Sequence, residues 1–321
     1  MIPFKLIAYI TNKCLETCSF CPYANNREQS EISYQLMKQL IDEMKRLKIF
    51  SISYTGGEPT LHSHFFDILS YAKQSFVYQT LASNGRLIDI SFAHDLKKNN
   101  IRGVALSLDD SNETDNDRKR GQGSFRSVIR AIEALNTVDI PVDISFTLSY
   151  DNLEKIPSLL ALLKELNVRS VRLQPIVDFE QNKISLNFTK EIISDIVRNC
   201  QIYMNDLEIL FSCSVGYFNF LLHGNNISFG DSGLCEAGKN ILTIGVDGNV
   251  YPCPLIKKDE FCMGNLEHSS LEDIIQNPRI DMDKWIFEPD RMRHKQCLSC
   301  QLNKVCKGGC KLDLENLCSG F

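Results

Sequence analysis

Cys14, Cys18 and Cys21 stand together in Cys-Leu-Glu-Thr-Cys-Ser-Phe-Cys, directly after a short apolar run. Three thiolates this closely spaced on one loop can each hold one iron of a cubane cluster and leave the fourth iron open to a reactant. The same spacing suits tetrahedral zinc, provided that a fourth ligand is near. The next cysteine is Cys200, and His62 and His64 lie beyond a strand and a helix of the pattern. The open cluster is therefore the better supported of the two readings.

A second set of cysteines comprises Cys235, Cys253, then Cys297-x2-Cys300-x5-Cys306-x3-Cys310, and Cys318. Cys297, Cys300, Cys306 and Cys310 alone would make a compact four-thiolate zinc site, but that leaves Cys235, Cys253 and Cys318 without a role. Thirteen cysteines in a chain with no secretory signal point to metal rather than disulfides, and to a reducing cytoplasm. The net charge of -5, with Lys and Arg scattered, gives no footprint for nucleic acid. The most apolar later stretch, Ile209 to Leu222, is broken by Ser212, Ser214, Gly216 and Asn219 and is too short to span a membrane.

The elements that must position these residues follow a repeated strand-then-helix pattern from residue 4 to about 175, the mark of βα units around a parallel sheet. Strands are expected over Lys5 to Ile10, Phe50 to Tyr54, Val77 to Ala82, Gly103 to Leu108, Val142 to Leu148 and Ser170 to Leu173. Helices are expected over Tyr34 to Leu47, His64 to Ala72, Ile90 to Lys98, Phe125 to Leu135, Leu153 to Leu166 and Lys190 to Tyr203. Six such units make an α/β fold of the partial (β/α)6 TIM-like barrel type, whose chemistry belongs on the loops at the C-terminal strand ends. After residue 205 the alternation stops, apart from a hairpin over Leu242 to Tyr251 around Asp247-Gly248. The expected domains are thus residues 1–205 for the barrel, 206–234 as a bridge, and 235–321 as a loop-rich module held by metal.

Polar groups recur at the mouths of successive strands. Thr55-Gly56-Gly57-Glu58-Pro59 follows the second, with two glycines that permit close backbone approach to a ligand and a carboxylate for an amine. Ser83-Asn84-Gly85 follows the third, and the fourth ends in Leu106-Ser107-Leu108-Asp109. Arg118, Arg120 and Arg126 come after the fourth strand, where each reads as a solvated surface arginine.

Cys-x3-Cys-x-aromatic-Cys after strand one, with Gly-Gly-Glu-Pro after strand two, resembles the radical S-adenosylmethionine (radical SAM) superfamily. The resemblance implies that Cys14, Cys18 and Cys21 ligate a 4Fe-4S cluster whose open iron is chelated by the amino and carboxylate groups of SAM. It further implies that Gly56, Gly57, Glu58 and Pro59 hold the methionine amine, that Ser83, Asn84, Ser107 and Asp109 approach ribose or carboxylate, and that Phe20 packs near adenine. One electron would cleave SAM to methionine and a 5'-deoxyadenosyl radical that abstracts hydrogen from a substrate.

The later cysteines resemble the iron-sulfur-binding SPASM extension of some radical SAM enzymes, of which the better-known members modify ribosomally made peptides. By that resemblance Cys297, Cys300, Cys306 and Cys318 hold one auxiliary 4Fe-4S cluster, and Cys235, Cys253 and Cys310 the other, for three clusters in all. In the sulfatase-maturating branch a further cysteine lies six positions before the one matching Cys235, and an aspartate follows the one matching Cys253. Here those positions are Phe229 and Pro254, which lowers the case for sulfatase maturation. Cys213 and Cys262 are alternatives for the missing ligand, although they and Cys200 read as buried unligated thiols.

The leading expectation is a radical SAM/SPASM oxidoreductase-type enzyme that modifies a peptide or small protein, served by a reductant such as flavodoxin or ferredoxin. With its first strand at about residue 4, the chain leaves no room for an N-terminal leader-binding domain, so a separate protein or the enzyme's own surfaces would recognise a peptide. Alternatives are a radical SAM dehydrogenase acting on a small molecule or cofactor precursor, and an iron-sulfur electron carrier. No motif fixes a catalytic donor or base. Tyr54, Tyr150 and Cys213 read as ordinary core, and His62-x-His64 as the start of a helix.

Overall fold

The computed structural model describes residues 2–21, 29–178, 183–184, 189–212 and 236–282. They fall into two compact units, one within Met1–Ser107, Asp117–Val142 and Ala237–Phe287, the other within Leu108–Asn116 and Asp143–Glu236.

In the first unit four parallel strands run side by side in chain order: β1 (Lys5–Thr11), β2 (Ser51–Gly56), β3 (Tyr78–Ser83) and β4 (Ile101–Ser107). Between them lie α1 (Tyr34–Leu47), α2 (Phe65–Gln74) and α3 (Ile90–Lys98). The last turn of α4 (Glu113–Arg120) and all of α5 (Ser124–Thr137) complete the helical layer. Apolar residues at helical spacing explain α1, which buries Leu36, Met37, Leu40, Ile41, Met44 and Leu47 on one side. Its start is fixed by Ser33, whose hydroxyl accepts from the Leu36 N–H.

Strand residues alternate between two environments because successive side chains point to opposite faces. Leu6, Ala8 and Ile10 on β1, Ile52 and Tyr54 on β2, Leu81 on β3 and Val104 and Leu106 on β4 are all buried, on the face that the helices cover. The other face carries Ile7, Tyr9, Ser53, Thr55, Thr80, Ala82, Ala105 and Ser107, small for the most part and half-buried. The register sets Ile7 beside Ser53 and Ser53 beside Thr80, so this open face is continuous across the strands.

The expected hairpin forms from β10 (Ile241–Ile244) and β11 (Asn249–Tyr251), with Gly248 in the turn at a φ of 77°. Rather than standing apart, β10 pairs in parallel with β1, setting Leu242 beside Leu6. It thereby caps the row of backbone groups that the first strand would expose as a sheet edge. β12 (Gly264–Asn265) extends the ribbon, and α8 (Leu271–Gln276) follows, its Glu272 paired with Arg46 of α1.

The second unit holds β5 (Val142–Leu148), β6 (Ser170–Pro175) and β9 (Glu208–Phe211) as parallel neighbours, with α6 (Ile156–Glu165) and α7 (Lys190–Gln201). A two-stranded ribbon, β7 (Val177–Asp178) with β8 (Lys183–Ile184), lies beyond β6. The strand-and-helix alternation expected to stop at residue 205 therefore continues through β9, because Ile209, Leu210 and Phe211 supply one more buried parallel strand. The highly polar α4 is also absent from the apolar pattern. Among the described residues no helix is long and apolar enough to cross a membrane.

Candidate cofactor site

The loop that carries the three thiols leaves β1 at Thr11. Its base is fixed by paired bonds: Asn12 N–H donates to Ser30 O at 3.0 Å, and Ser30 N–H returns to Asn12 Oδ1 at 2.6 Å. Lys13 Nζ adds an ion pair with Glu31 at 2.9 Å. Within the loop Cys14 is exposed, whereas Cys18 and Cys21 are half-buried. The Glu16 N–H lies 3.4 Å from Cys14 Sγ, and the Cys21 N–H donates to Cys18 O at 3.0 Å. On the far side, Ser19 N–H donates to Lys119 O at 3.0 Å, and Cys18 Sγ to Arg120 O at 3.7 Å.

Burial pushes the Cys18 thiol up to about 11; Arg120 opposes the shift, while Cys21, Glu16 and Cys14 reinforce it. Cys14 is raised too, chiefly by burial, with Glu58, Cys21 and Glu16 adding to the shift against the Glu16 N–H. Three thiols and two carboxylates gathered here call for positive charge, which iron would supply on displacing the thiol protons. Among the described residues no three His, Cys, Asp or Glu side chains close on a single ion-sized point. A cubane makes no such demand, since each thiolate takes a different iron, and the donor set fits it.

Gly56 and Gly57 serve a close approach, but to the chain itself. A Cβ at Gly56 would lie 2.1 Å from Thr11 O, and one at Gly57 would lie 2.4 Å from Lys13 O. Gly57 N–H donates to Thr11 O at 2.8 Å and Glu58 N–H to Lys13 O at 2.7 Å, so the two glycines bring this turn onto the base of the cysteine loop. Pro59 is buried at the start of a single 3-10 turn, Pro59–Leu61.

Glu58 is enclosed and accepts on both oxygens. Thr60 Oγ1 (2.6 Å) and Ser83 Oγ (2.9 Å) donate to Oε1, and Asn84 N–H (2.7 Å) donates to Oε2. Burial raises its pKa against the pull of these bonds, so a nearby cation such as an amine would favour its charged form. Asn84 also points its Nδ2 at Cys14 Sγ, 3.8 Å away, which brings the ends of β2 and β3 to the cysteine loop. Ser107 ends β4 on the open face.

Asp109 belongs to the second unit and is fully buried. Its Oδ1 accepts from Thr147 N–H at 2.7 Å, and its own N–H donates to Asn116 Oδ1 at 3.0 Å. It braces the start of its loop against β5. Arg118 and Arg126 are exposed, as expected, but Arg120 is buried, with its guanidinium 5.3 Å over the half-buried Phe20 ring. The reason is local: the cysteine loop packs across the end of α4 and covers it.

Of the later cysteines only Cys253 and Cys262 lie among the described residues. Cys253 is buried just after β11, with the Leu255 N–H 3.4 Å from its sulfur. Cys262 is buried and donates to Gly264 O at 3.3 Å. Cys213, Phe229, Cys235, Cys297, Cys300, Cys306, Cys310 and Cys318 lie outside the described residues. Cys200 is buried on α7, its thiol pushed up to about 12 by burial. Tyr54 is core, its hydroxyl donating to Gln79 Oε1 at 2.9 Å, and Tyr150 is exposed. His62 is buried with Nε2 2.8 Å from Ile32 O, while His64 stands at the start of α2 beside Asp67.

Four groups at this end of the sheet escape a motif reading. Tyr9 on the open face donates to Pro254 O at 3.4 Å, and Lys257 Nζ lies 3.3 Å over its ring. Burial lowers the Lys257 pKa to about 7, with Cys21 opposing. Arg86 Nε meets Glu16 Oε1 at 2.8 Å. The one available clue is Glu16 itself, a carboxylate inside a run of thiols, which demands a cation nearby.

A family model for the Radical SAM superfamily matches residues 8–163, and one for an iron-sulfur cluster-binding domain, SPASM, matches residues 235–307. The chain is 28% identical over 317 residues to the mycofactocin maturase MftC of Mycolicibacterium smegmatis, covering 96% of this chain and 78% of that protein. It is 25% identical over 334 residues to a cysteine-type anaerobic sulfatase-maturating enzyme of Clostridium perfringens, covering 95% and 88%. Among solved structures, Streptococcus suis SuiB bound to its precursor peptide SuiA superposes with a TM-score of 0.80 at 20% identity, covering 99% of this chain and 76% of that one.

Proposed function

Because this chain belongs to the radical SAM superfamily and carries a C-terminal SPASM domain, we propose that it modifies a peptide or small protein by abstracting hydrogen from an unactivated carbon. The observation that carries this reading is the convergence of Cys14, Glu58 and Asn84 at the end of a sheet whose neighbouring face is lined by small side chains. Similarity along nearly the whole chain to a maturase supports a peptide as the substrate. Pro254, which has no proton to take or give, argues against sulfatase maturation.

Cys14, Cys18 and Cys21 would hold one 4Fe-4S cluster, Cys235, Cys253 and Cys310 a second, and Cys297, Cys300, Cys306 and Cys318 a third. When bound, the first cluster and SAM supply a 5'-deoxyadenosyl radical. The protein's part is to bind, orient and exclude water. Glu58 offers charge to the methionine amine and at the same time fixes Ser83 and Asn84 by their donated bonds. Gly56 to Pro59 anchor that turn on the cysteine loop, Ser107 would approach the ribose, and Phe20 would pack near adenine. Asp109, fully buried, braces the start of its own loop against β5. A flavodoxin or ferredoxin in a reducing cytoplasm would supply electrons, and a separate leader-binding protein would present the peptide.

The test is co-expression with short peptides encoded beside the gene, followed by mass spectrometry. A mass change that requires SAM supports the reading, and none in any peptide, with SAM still cleaved, turns it toward a small molecule. Reconstituted protein should hold on the order of twelve irons if all three cubanes form.

A further inference from the structure

We propose that Glu16 and Arg86 form a positioning pair that sets the hydrogen bonds onto the Cys14 sulfur, and through them the reduction potential of the cluster held there. The inference rests on the reading of Cys14, Cys18 and Cys21 as cluster ligands.

Glu16 sits between Cys14 and Cys18, and its side chain is only 2% exposed. Arg86 Nε donates to Glu16 Oε1 at 2.8 Å, and Arg86 Nη2 donates to Gln122 O at 2.9 Å. The Arg86 carbonyl accepts from Arg130 Nη2 at 2.7 Å, so the residue is held from both sides. Its N–H donates to Asn84 Oδ1 at 2.9 Å, which turns the Asn84 amide so that Nδ2 faces Cys14 Sγ. The Glu16 N–H lies against the same sulfur. These contacts close a ring in which Cys14 takes two N–H donors, Asn84 and Glu16 supply them, and Arg86 ties the two together.

Gly121 belongs to the same construction. A Cβ there would lie 2.7 Å from Glu16 Oε2, and its φ of +117° is one that L side chains rarely adopt. The site thus reserves room for a carboxylate beside two thiols that its charge disfavours. Burying such a pair seldom adds net stability, since an apolar pair of similar volume usually serves as well. Its value lies in geometry. Hydrogen bonds to cluster sulfurs are among the groups that set the potential, and donors onto a thiolate favour the reduced, more negative state.

The test compares full-length wild type with Arg86→Met, Arg86→Lys and the apolar double variant Glu16→Leu/Arg86→Met, each as apo-protein and after anaerobic reconstitution. In Arg86→Met the EPR-monitored midpoint potential of the SAM-binding cluster should fall and its spectrum with SAM should change. SAM cleavage should drop about 10- to 100-fold, the usual range for loss of a partner that orients a metal ligand. Arg86→Lys should recover part of the potential. The double variant should recover thermal stability but not the potential, a separation that a purely structural role would not give. In the apo-protein, Cys14 should be alkylated by iodoacetamide faster in Arg86→Met than in wild type, relative to Cys18. If wild type took up no iron, the cluster reading would fall, and this apo-protein rate would still decide whether the pair positions Cys14. An unchanged alkylation ratio, or a wild-type potential in the double variant, overturns the proposal.

Discussion

The two faces of the β1 to β4 sheet differ more from each other than any two strands do. One carries Leu6, Ala8, Ile52, Tyr54, Leu81 and Val104, all sealed beneath helices. The other carries Ile7, Tyr9, Ser53, Thr55, Thr80, Ala82 and Ala105, none of them sealed. Parallel sheets are normally covered on both sides by bulky aliphatic residues. Here only one side is built that way. Alternation along the strand lets a single segment stabilise the fold with every second residue and leave volume for a substrate with the residues between, at the end where the cysteine loop emerges.

The sharpest separation of chemistry from folding should come from Cys18→Ala. The thiol contributes to the site and little to the core, so SAM cleavage, read as released 5'-deoxyadenosine, should fall to background. The apo-protein's unfolding free energy should change by no more than about 1 kcal/mol. Retained cleavage would remove this loop from the cofactor site altogether.

Leu81→Ala should do the reverse. Leu81 is 1% exposed on the sealed face, so the lost contacts and the cavity should cost about 2–5 kcal/mol by denaturant titration. SAM cleavage per folded molecule should stay close to wild type. A smaller loss would mean that the helices do not seal this face.

Lys257, over the Tyr9 ring on the open face, gives a pH test. The unfolded chain keeps this proton up to the ordinary 10.5, whereas the folded protein releases it near 7. Between those values the unfolded state binds more protons, so the contribution to stability improves as pH rises from about 7 and is worst below it. Lys257→Met should therefore stabilise the apo-protein at pH 6 and lose that advantage by pH 10, as read by thermal melts. Among the groups facing the ammonium are the Tyr9 ring and the Cys21 thiol. An advantage independent of pH would place the ammonium in water.

Much of this arrangement is legible in the chain. Apolar spacing alone gives α1 over Tyr34–Leu47 and α3 over Ile90–Lys98 as they stand, and β-branched runs give β5 over Val142–Leu148. Local pattern cannot give long-range pairing: nothing in Ile241–Ile244 says that it will lie beside β1, because that choice is made by the unpaired backbone of a strand more than two hundred residues away. The site divides in the same way. Cys14, Cys18, Cys21 and Glu58 announce themselves by type and spacing. Arg86 and Lys257 do not, since each gains its role from a partner distant in sequence. The two glycines were legible as a close approach, but only the packed turn reveals that the approach is to Thr11 and Lys13.

The mildest substitution presses hardest on the comparison of faces. Thr80 sits beside Ser53 on the open face, one residue from Leu81, and its hydroxyl reaches Ile52 O only at 3.5 Å. A bond that long contributes little. Thr80→Val keeps the shape and the β-branched preference for a strand, so stability should stay within about 0.5 kcal/mol of wild type. What it removes is a polar group facing the volume proposed for substrate. The Michaelis constant for the peptide should therefore change while SAM cleavage without peptide does not. If Thr80→Val destabilised the protein as much as Leu81→Ala, both faces would be structural, and the substrate would have to be sought away from this sheet.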